Sequence, residues 1–226
     1  MIALVLAAHP DDEVLGCGGT IAKLTAEHEV HIAILGEGIT ARYLRPGASD
    51  SSAAVSTLQE EARSVGSLLG AKSVSFQGLP DNRFDEKPLL EVVKSVEHLI
   101  QEIGPEVVYT HHPGDLNMDH QITFRAVLTA TRPLADCPVQ EVYSFEVPSS
   151  TEWAFHQLQP PFRPNVFVDI SSTIETKLRG LERYKGEQRP FPHPRSREAL
   201  KAIARRWGSV AGMDYAEAFE LIRSLR

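Results

Sequence analysis

Residues 4–20 read LVLAAHPDDEVLGCGGT, an apolar run that breaks into a crowd of charge. Ile2 to Ala8 has the length of one buried strand. It is too short to span a membrane and has no basic residues ahead of it, so neither a membrane helix nor a secretory leader is expected. His9, Pro10, Asp11, Asp12 and Glu13 follow directly. Carboxylates this close repel one another, so either a positive partner meets them or they form a solvated turn. Beyond them, Ile21 and Leu24 stand at helical spacing. Gly16, Gly18 and Gly19 do not make the G-x-G-x-x-G spacing of a dinucleotide site and are read as backbone permissiveness at the start of that helix.

Strand, polar turn and helix recur outward from this stretch. VHIAIL (30–35) predicts a second strand, followed by a loop from Gly36 to Ser52. Helices are expected over 53–69 and 89–103, closed by Gly70 and Gly104, with KSVSF as a third strand. EVVYT (106–110) predicts a fourth strand, and HHPGDLNMDH (111–120) is the polar loop after it. Further helices are expected over 121–131, from a serine cap near 171, over 196–207 and over 215–225, with strands in QEVYSFEV and NVFVDI. The alternation predicts one α/β domain over 1–226, a mostly parallel sheet with helices on both faces, and a C-terminal helical part from about 171. Hydrophobic residues make up 42% and charged residues 23%, an ordinary globular balance.

Each polar cluster falls just past a predicted strand: HPDDE, GEGITAR, LPDNRF and HHPGDLNMDH. In a parallel sheet all four emerge on one rim, where open α/β sheets bind ligands. His9 and Asp12 are ordinary Zn²⁺ ligands, and His120, at the start of a helix, is the natural third. Two imidazoles and one carboxylate leave a coordination position open, as catalytic zinc requires. A dication there offsets the crowded acids and leaves Asp11 as a general base.

AHPDDEVLGCGGTIAKL together with HHPGDLNMDH resembles the PIG-L/LmbE family of zinc-dependent N-acetyl-sugar deacetylases. Softer support comes from GITAR, EEARSVGSLLG, LPD, KLRGLERYKGEQR, PHPRS and YAEAF. The resemblance implies a three-layer, Rossmann-like (LmbE-like) sheet and removal of acetyl from an N-acetylglucosamine-type sugar or conjugate. It matches His9, Asp12 and His120 to the metal ligands and Asp11 to the base acting on water. Zn²⁺ is the implied cofactor, with Fe²⁺ an alternative. One departure stands out: many members carry histidine where this chain has Asn117. An amide donates to an oxyanion but delivers no proton at neutral pH, so Asp11, His111, His112 or His193 must protonate the amine.

Asp119 is either a partner orienting a ligand or the cap of the helix at His120, and Glu13 divides likewise between orienting and serving the helix dipole. Arg42, Asp81, His111 and His112 are candidate substrate contacts, His111 and His112 as histidines of the rim. Net charge is −7, which excludes a general nucleic-acid binder, yet residues 177–226 carry 12 basic and 6 acidic side chains. That basic tract is either a solvated face or a source of arginines for an anionic substrate. Within it, RPFPHPRSR (189–197) is expected to reach over the rim, with His193 beside the site and Arg195 or Arg197 meeting a phosphate or carboxylate. Two cysteines make no framework, and a cytoplasmic chain able to form a homo-oligomer is expected. Two other classes accept the same residues: a non-haem iron enzyme with a two-histidine, one-carboxylate triad, and a non-catalytic sugar- or nucleotide-binding module.

Overall fold

A computed structural model describes residues 1–42 and 49–226, with side chains outside 43–51. The loop expected from Gly36 therefore lies partly outside the described residues. Seven strands form one sheet: β1 (Ile2–Ala7), β2 (Glu29–Gly36), β3 (Ser73–Leu79), β4 (Val107–His111), β5 (Glu141–Phe145), β6 (Val166–Asp169) and β7 (Ala216–Ser224), in the spatial order β3-β2-β1-β4-β5-β7-β6. The first five run parallel, and β7 lies antiparallel between β5 and β6.

β1 is a continuous apolar run because both its faces are covered. Ala3, Val5 and Ala7 face a core shared with α1 (Asp12–Leu24), α2 (Ser49–Leu69), α5 (Ile174–Leu181) and α6 (Arg197–Ala211). Leu4, Leu6 and Ala8 face the opposite core, closed by α3 (Leu89–Ile103) and α4 (Met118–Ala130). The mostly parallel three-layer α/β architecture is thus as the sequence predicts. α3 stops where Gly104 turns left-handed (φ 64°) and its N–H returns to Ile100 O. Ser196 Oγ accepts from Ala199 N to start α6. α5 instead starts at Thr173 without a side-chain cap, so the expected serine cap is absent.

The helix expected over 215–225 is a strand, β7, and the C-terminal part is not wholly helical. Ala, Glu and Leu favour a helix locally. Here two ladders win, with Phe219 opposite Phe145 of β5 and Val166 of β6. Alternation does the rest: Phe219 enters one core, while Ala216 and Ala218 pack with Trp207.

The glycines of α1 also read differently in three dimensions. None has positive φ. A Cβ on Gly16 would come 2.3 Å from the Phe145 ring, and one on Gly19 2.8 Å from Ile170. They permit close packing of helix on sheet. α1 is kinked at Cys17 (φ −145°, ψ 23°). Leu15 O accepts from Lys177 Nζ, and the Gly19 and Thr20 N–H groups donate to the Glu217 carboxylate. Lys177 and Glu217 are themselves paired at 2.6 Å, both buried.

Candidate active site

Strand order reverses between β1, which leads to β2 and β3, and β4, which leads to β5. The carboxyl ends of parallel strands form a crevice at such a switch point. The loop after β1 brings His9 to Asp12 there, and the loop after β4 brings residues 112–117 with His120 in the first turn of α4. An open cavity of about 500 Å³ occupies the crevice, and the loops after β2 and β3 add Arg42, Asp81 and Asn82 to its wall.

Asp12 is the hub. Its Oδ2 lies 3.5 Å from His9 Nδ1, 3.3 Å from His120 Nε2 and 3.5 Å from His111 Nε2. One ligand atom each from His9, Asp12 and His120 lies within 4.8 Å of the others. The remaining nitrogens of the two histidines face carboxylates. His9 Nε2 donates to Asp119 Oδ2 (2.9 Å), and His120 Nδ1 stands 3.1 Å from Asp115 Oδ1. An imidazole turned inward and backed by an acid is the usual support of a metal ligand.

The electrostatics point the same way. Burial opposes charge on His9, yet Asp119, Asp12 and Asp81 raise its pKa to about 10. Burial likewise opposes charge on His120, which Asp12 and Asp115 raise to about 9. Burial would raise Asp12, but His120, His111 and His9 hold it well below the ordinary carboxylate range. The cluster therefore demands positive charge, which a divalent ion supplies, and the donor set fits one.

Asp11 behaves oppositely. It adopts φ 103°, a conformation costly for a side-chain-bearing residue, and its carboxylate turns to the cavity, 2.6 Å from Arg195 Nη1. Burial pushes its carboxyl well above the usual range, against the pull of Arg195. Glu13 holds the backbone turn. Its Oε2 accepts from Asp11 N (3.0 Å), and its Oε1 accepts from Tyr184 Oη (2.6 Å).

Asn117 is the cap of α4, its Oδ1 accepting from Asp119 N (2.8 Å), while its Nδ2 donates to Asn82 Oδ1 (3.1 Å). Asp119 is therefore not the cap, and its second oxygen accepts from Phe84 N (3.0 Å). Asp81 sits in the wall, accepting from Ala41 N (3.1 Å) and standing 3.5 Å from His9 Nε2. His9, Asp81 and Asp119 form a second grouping of possible ligand atoms.

Three expected substrate contacts are corrected. His111 and His112 are not rim histidines but fully buried. His111 ends β4, stacks on His120 and accepts from Ala8 N (2.8 Å); burial and the neighbouring His120 lower its pKa to about 3. His112 is locked between Glu220 and Pro160 O. His193 packs edge-on against Trp153, outside the cavity wall. Arg197, the alternative to Arg195, pairs with Glu175 and Glu182 instead. Of the basic tract's described arginines, Arg195 alone lines the cavity.

Three participants escaped the sequence reading. Asp115 backs His120 and is fixed by Ser150 Oγ, Thr151 Oγ1 (2.6 Å) and Asn117 N (2.8 Å). Burial raises its carboxyl, but His120, Ser150 and Thr151 bring it to about 2. It lay inside the polar loop 111–120, which was its only signal. Glu187 and Tyr184 lie inside KLRGLERYKGEQR, which supported the family resemblance but gave neither residue a role.

The fold is shared by proteins of more than one activity. GalB, the 4-carboxy-2-hydroxymuconate hydratase of Pseudomonas putida KT2440, superposes with a TM-score of 0.79 at 23% identity, over 100% of this chain and 97% of that one. Fold alone does not assign chemistry. Sequence narrows it. A diacetylchitobiose deacetylase of Thermococcus kodakarensis is 28% identical over 97% of this chain and 82% of its own length. The uncharacterized deacetylase YaiS of Escherichia coli K12 is 28% identical over 80% of this chain and 89% of its own. The profile described as PIG-L, GlcNAc-PI de-N-acetylase, matches residues 4–131, which hold His9, Asp12, His120 and the acids behind them. By that match the chain belongs to the PIG-L family.

Proposed function

We propose that the chain is a metal-dependent hydrolase that removes acetyl from an N-acetylglucosamine-type sugar or conjugate. The carrying observation is the divergence of two adjacent carboxyls: Asp12 turns inward to His9 and His120, and Asp11 turns outward to the cavity with its pKa driven the other way. Neighbouring acids whose environments separate their pKa values mark an acid–base assignment. Family membership and the deacetylase relatives support the substrate class.

His9, Asp12 and His120 would hold Zn²⁺, and Fe²⁺ accepts the same donors. When bound, the ion supplies Lewis acidity that polarises the acetyl carbonyl and lowers the pKa of water. Asp11 takes a proton from the attacking water. The Nδ2 of Asn117 has two hydrogens, one of them engaged by Asn82, and the other donates to the developing oxyanion. His111 and His112 are buried away from the cavity and His193 lies outside its wall. The proton for the departing amine is therefore returned by Asp11. The products are acetate and a free amine.

The test is acetate release from a panel of N-acetylglucosamine conjugates by wild type and Asp11→Asn, with metal content measured on both. The variant is expected to retain metal and lose about 10²- to 10⁴-fold in rate. Undiminished turnover removes Asp11 from the mechanism.

A further inference from the structure

The cavity contains a charge arrangement that the hydrolytic chemistry does not require. Glu187 lies on the turn after α5, with 4% of its side chain exposed. One of its oxygens accepts from Arg42 Nη2 (2.5 Å) and the other from Arg195 Nη1 (3.1 Å). These are the two described arginines of the cavity wall, and they are distant in sequence. Arg195 is committed further, to Asp11 and, through Nε, to Ser149 Oγ (2.7 Å). A guanidinium shared between two carboxylates has no unbalanced charge to offer a phosphate.

We infer that Glu187 is a specificity-determining residue: by pairing with both Arg42 and Arg195 it fits the site to an uncharged N-acetyl sugar and turns away phosphorylated or carboxylated ones. The inference rests on the deacetylase reading and sharpens its substrate class. It also replaces the expectation that Arg195 receives an anion. Among the described wall residues, Asp11, Asp12, Asp81 and Glu187 face Arg42 and Arg195. An anionic sugar must compete with Glu187 for a guanidinium and strip a buried carboxylate of part of its pairing. A neutral sugar needs only hydrogen bonds. Asn82, Asn117 and Asp81 offer them, as do guanidinium N–H groups not used by Glu187 or Asp11.

The experiment measures binding of N-acetylglucosamine and of its 1- and 6-phosphates by calorimetry, for wild type and Glu187→Gln. Wild type is expected to bind the neutral sugar at least 10-fold more tightly than either phosphate. Glu187→Gln is expected to shift that ratio at least 10-fold toward the phosphates, with a gain that shrinks as salt rises. Wild type that binds a phosphate as tightly as the neutral sugar, or binds neither, overturns the inference without recourse to the variant. An unchanged ratio in Glu187→Gln overturns it as well. Acetate release, assayed in parallel, tests the deacetylase reading separately: its absence sinks that reading while the affinity ratio is still measured.

Discussion

Two clusters of buried charge, one at the start of α1 and one at its kink, make a useful contrast. Around the kink, Glu217 and Lys177 are both buried and fully answered. Lys177 donates to Glu217 and Leu15 O, and Glu217 accepts from Lys177, Gly19 N and Thr20 N. At the N-terminal end, Asp12, Asp115 and Asp119 are each at most 1% exposed and surround His9 and His120. Here acids outnumber permanent cations, and the imidazoles are driven toward protonation. Structural charges close their own accounts within the chain. The second cluster leaves its acids without such a partner and is the one that could take up an added cation, as the proposed function requires.

The contrast breaks most severely with His120→Ala. Metal content should fall to background and acetate release by about 10³-fold or more, several kcal/mol of transition-state stabilisation, with little change in the far-UV circular dichroism. The counterpart at the kink is Lys177→Met, which strands a buried Glu217. It should cost about 3–5 kcal/mol of stability, read by urea denaturation. The double variant Lys177→Met/Glu217→Leu should recover only part of that, because the Gly19 and Thr20 N–H groups lose their acceptor. Complete recovery would show that the pair, and not the capping of the kink, is what matters.

Asp115→Asn is a milder probe of the unbalanced cluster. Weakening the acid behind His120 should lower metal affinity about 10- to 100-fold, measured by competition with a chelator. The smallest effect belongs to Glu146, which accepts from Trp207 Nε1 and whose pKa burial raises. The folded chain holds that proton more tightly than the unfolded one. Its contribution is therefore present below the ordinary carboxyl pKa of about 4.3 and lost as pH rises through the elevated value. Glu146→Gln should raise Tm by on the order of 2 °C at pH 7.5 and leave it unchanged near pH 4. An equal shift at both pH values would exclude titration as the cause.

Much of this was legible in the chain because it was local. The apolar run Ile2–Ala8 and the HPDDE crowd are adjacent in sequence, so strand and site announce each other, and the polar loop 111–120 carries both His120 and Asp115. What failed to show was non-local. β7 is rich in helix formers, and only pairing with β5 and β6 makes it a strand. Glu187 is an unremarkable acid in a basic tract until folding sets it between Arg42 and Arg195. His111 and His112 look like loop histidines on paper, yet β4 carries His111 and both side chains are buried. Gly16 and Gly19 gave a composition signal whose cause, contact with Phe145 and Ile170, lies more than a hundred residues away.

The kink of α1 ties the order of assembly to the order of synthesis. The broken turn at residues 15–20 is satisfied by side chains 162 to 198 residues further along the chain. Until Lys177 and Glu217 arrive, the nascent helix has open donors and acceptors at its midpoint. The middle of the helix that carries Asp12 is thereby finished only when the polypeptide is nearly complete.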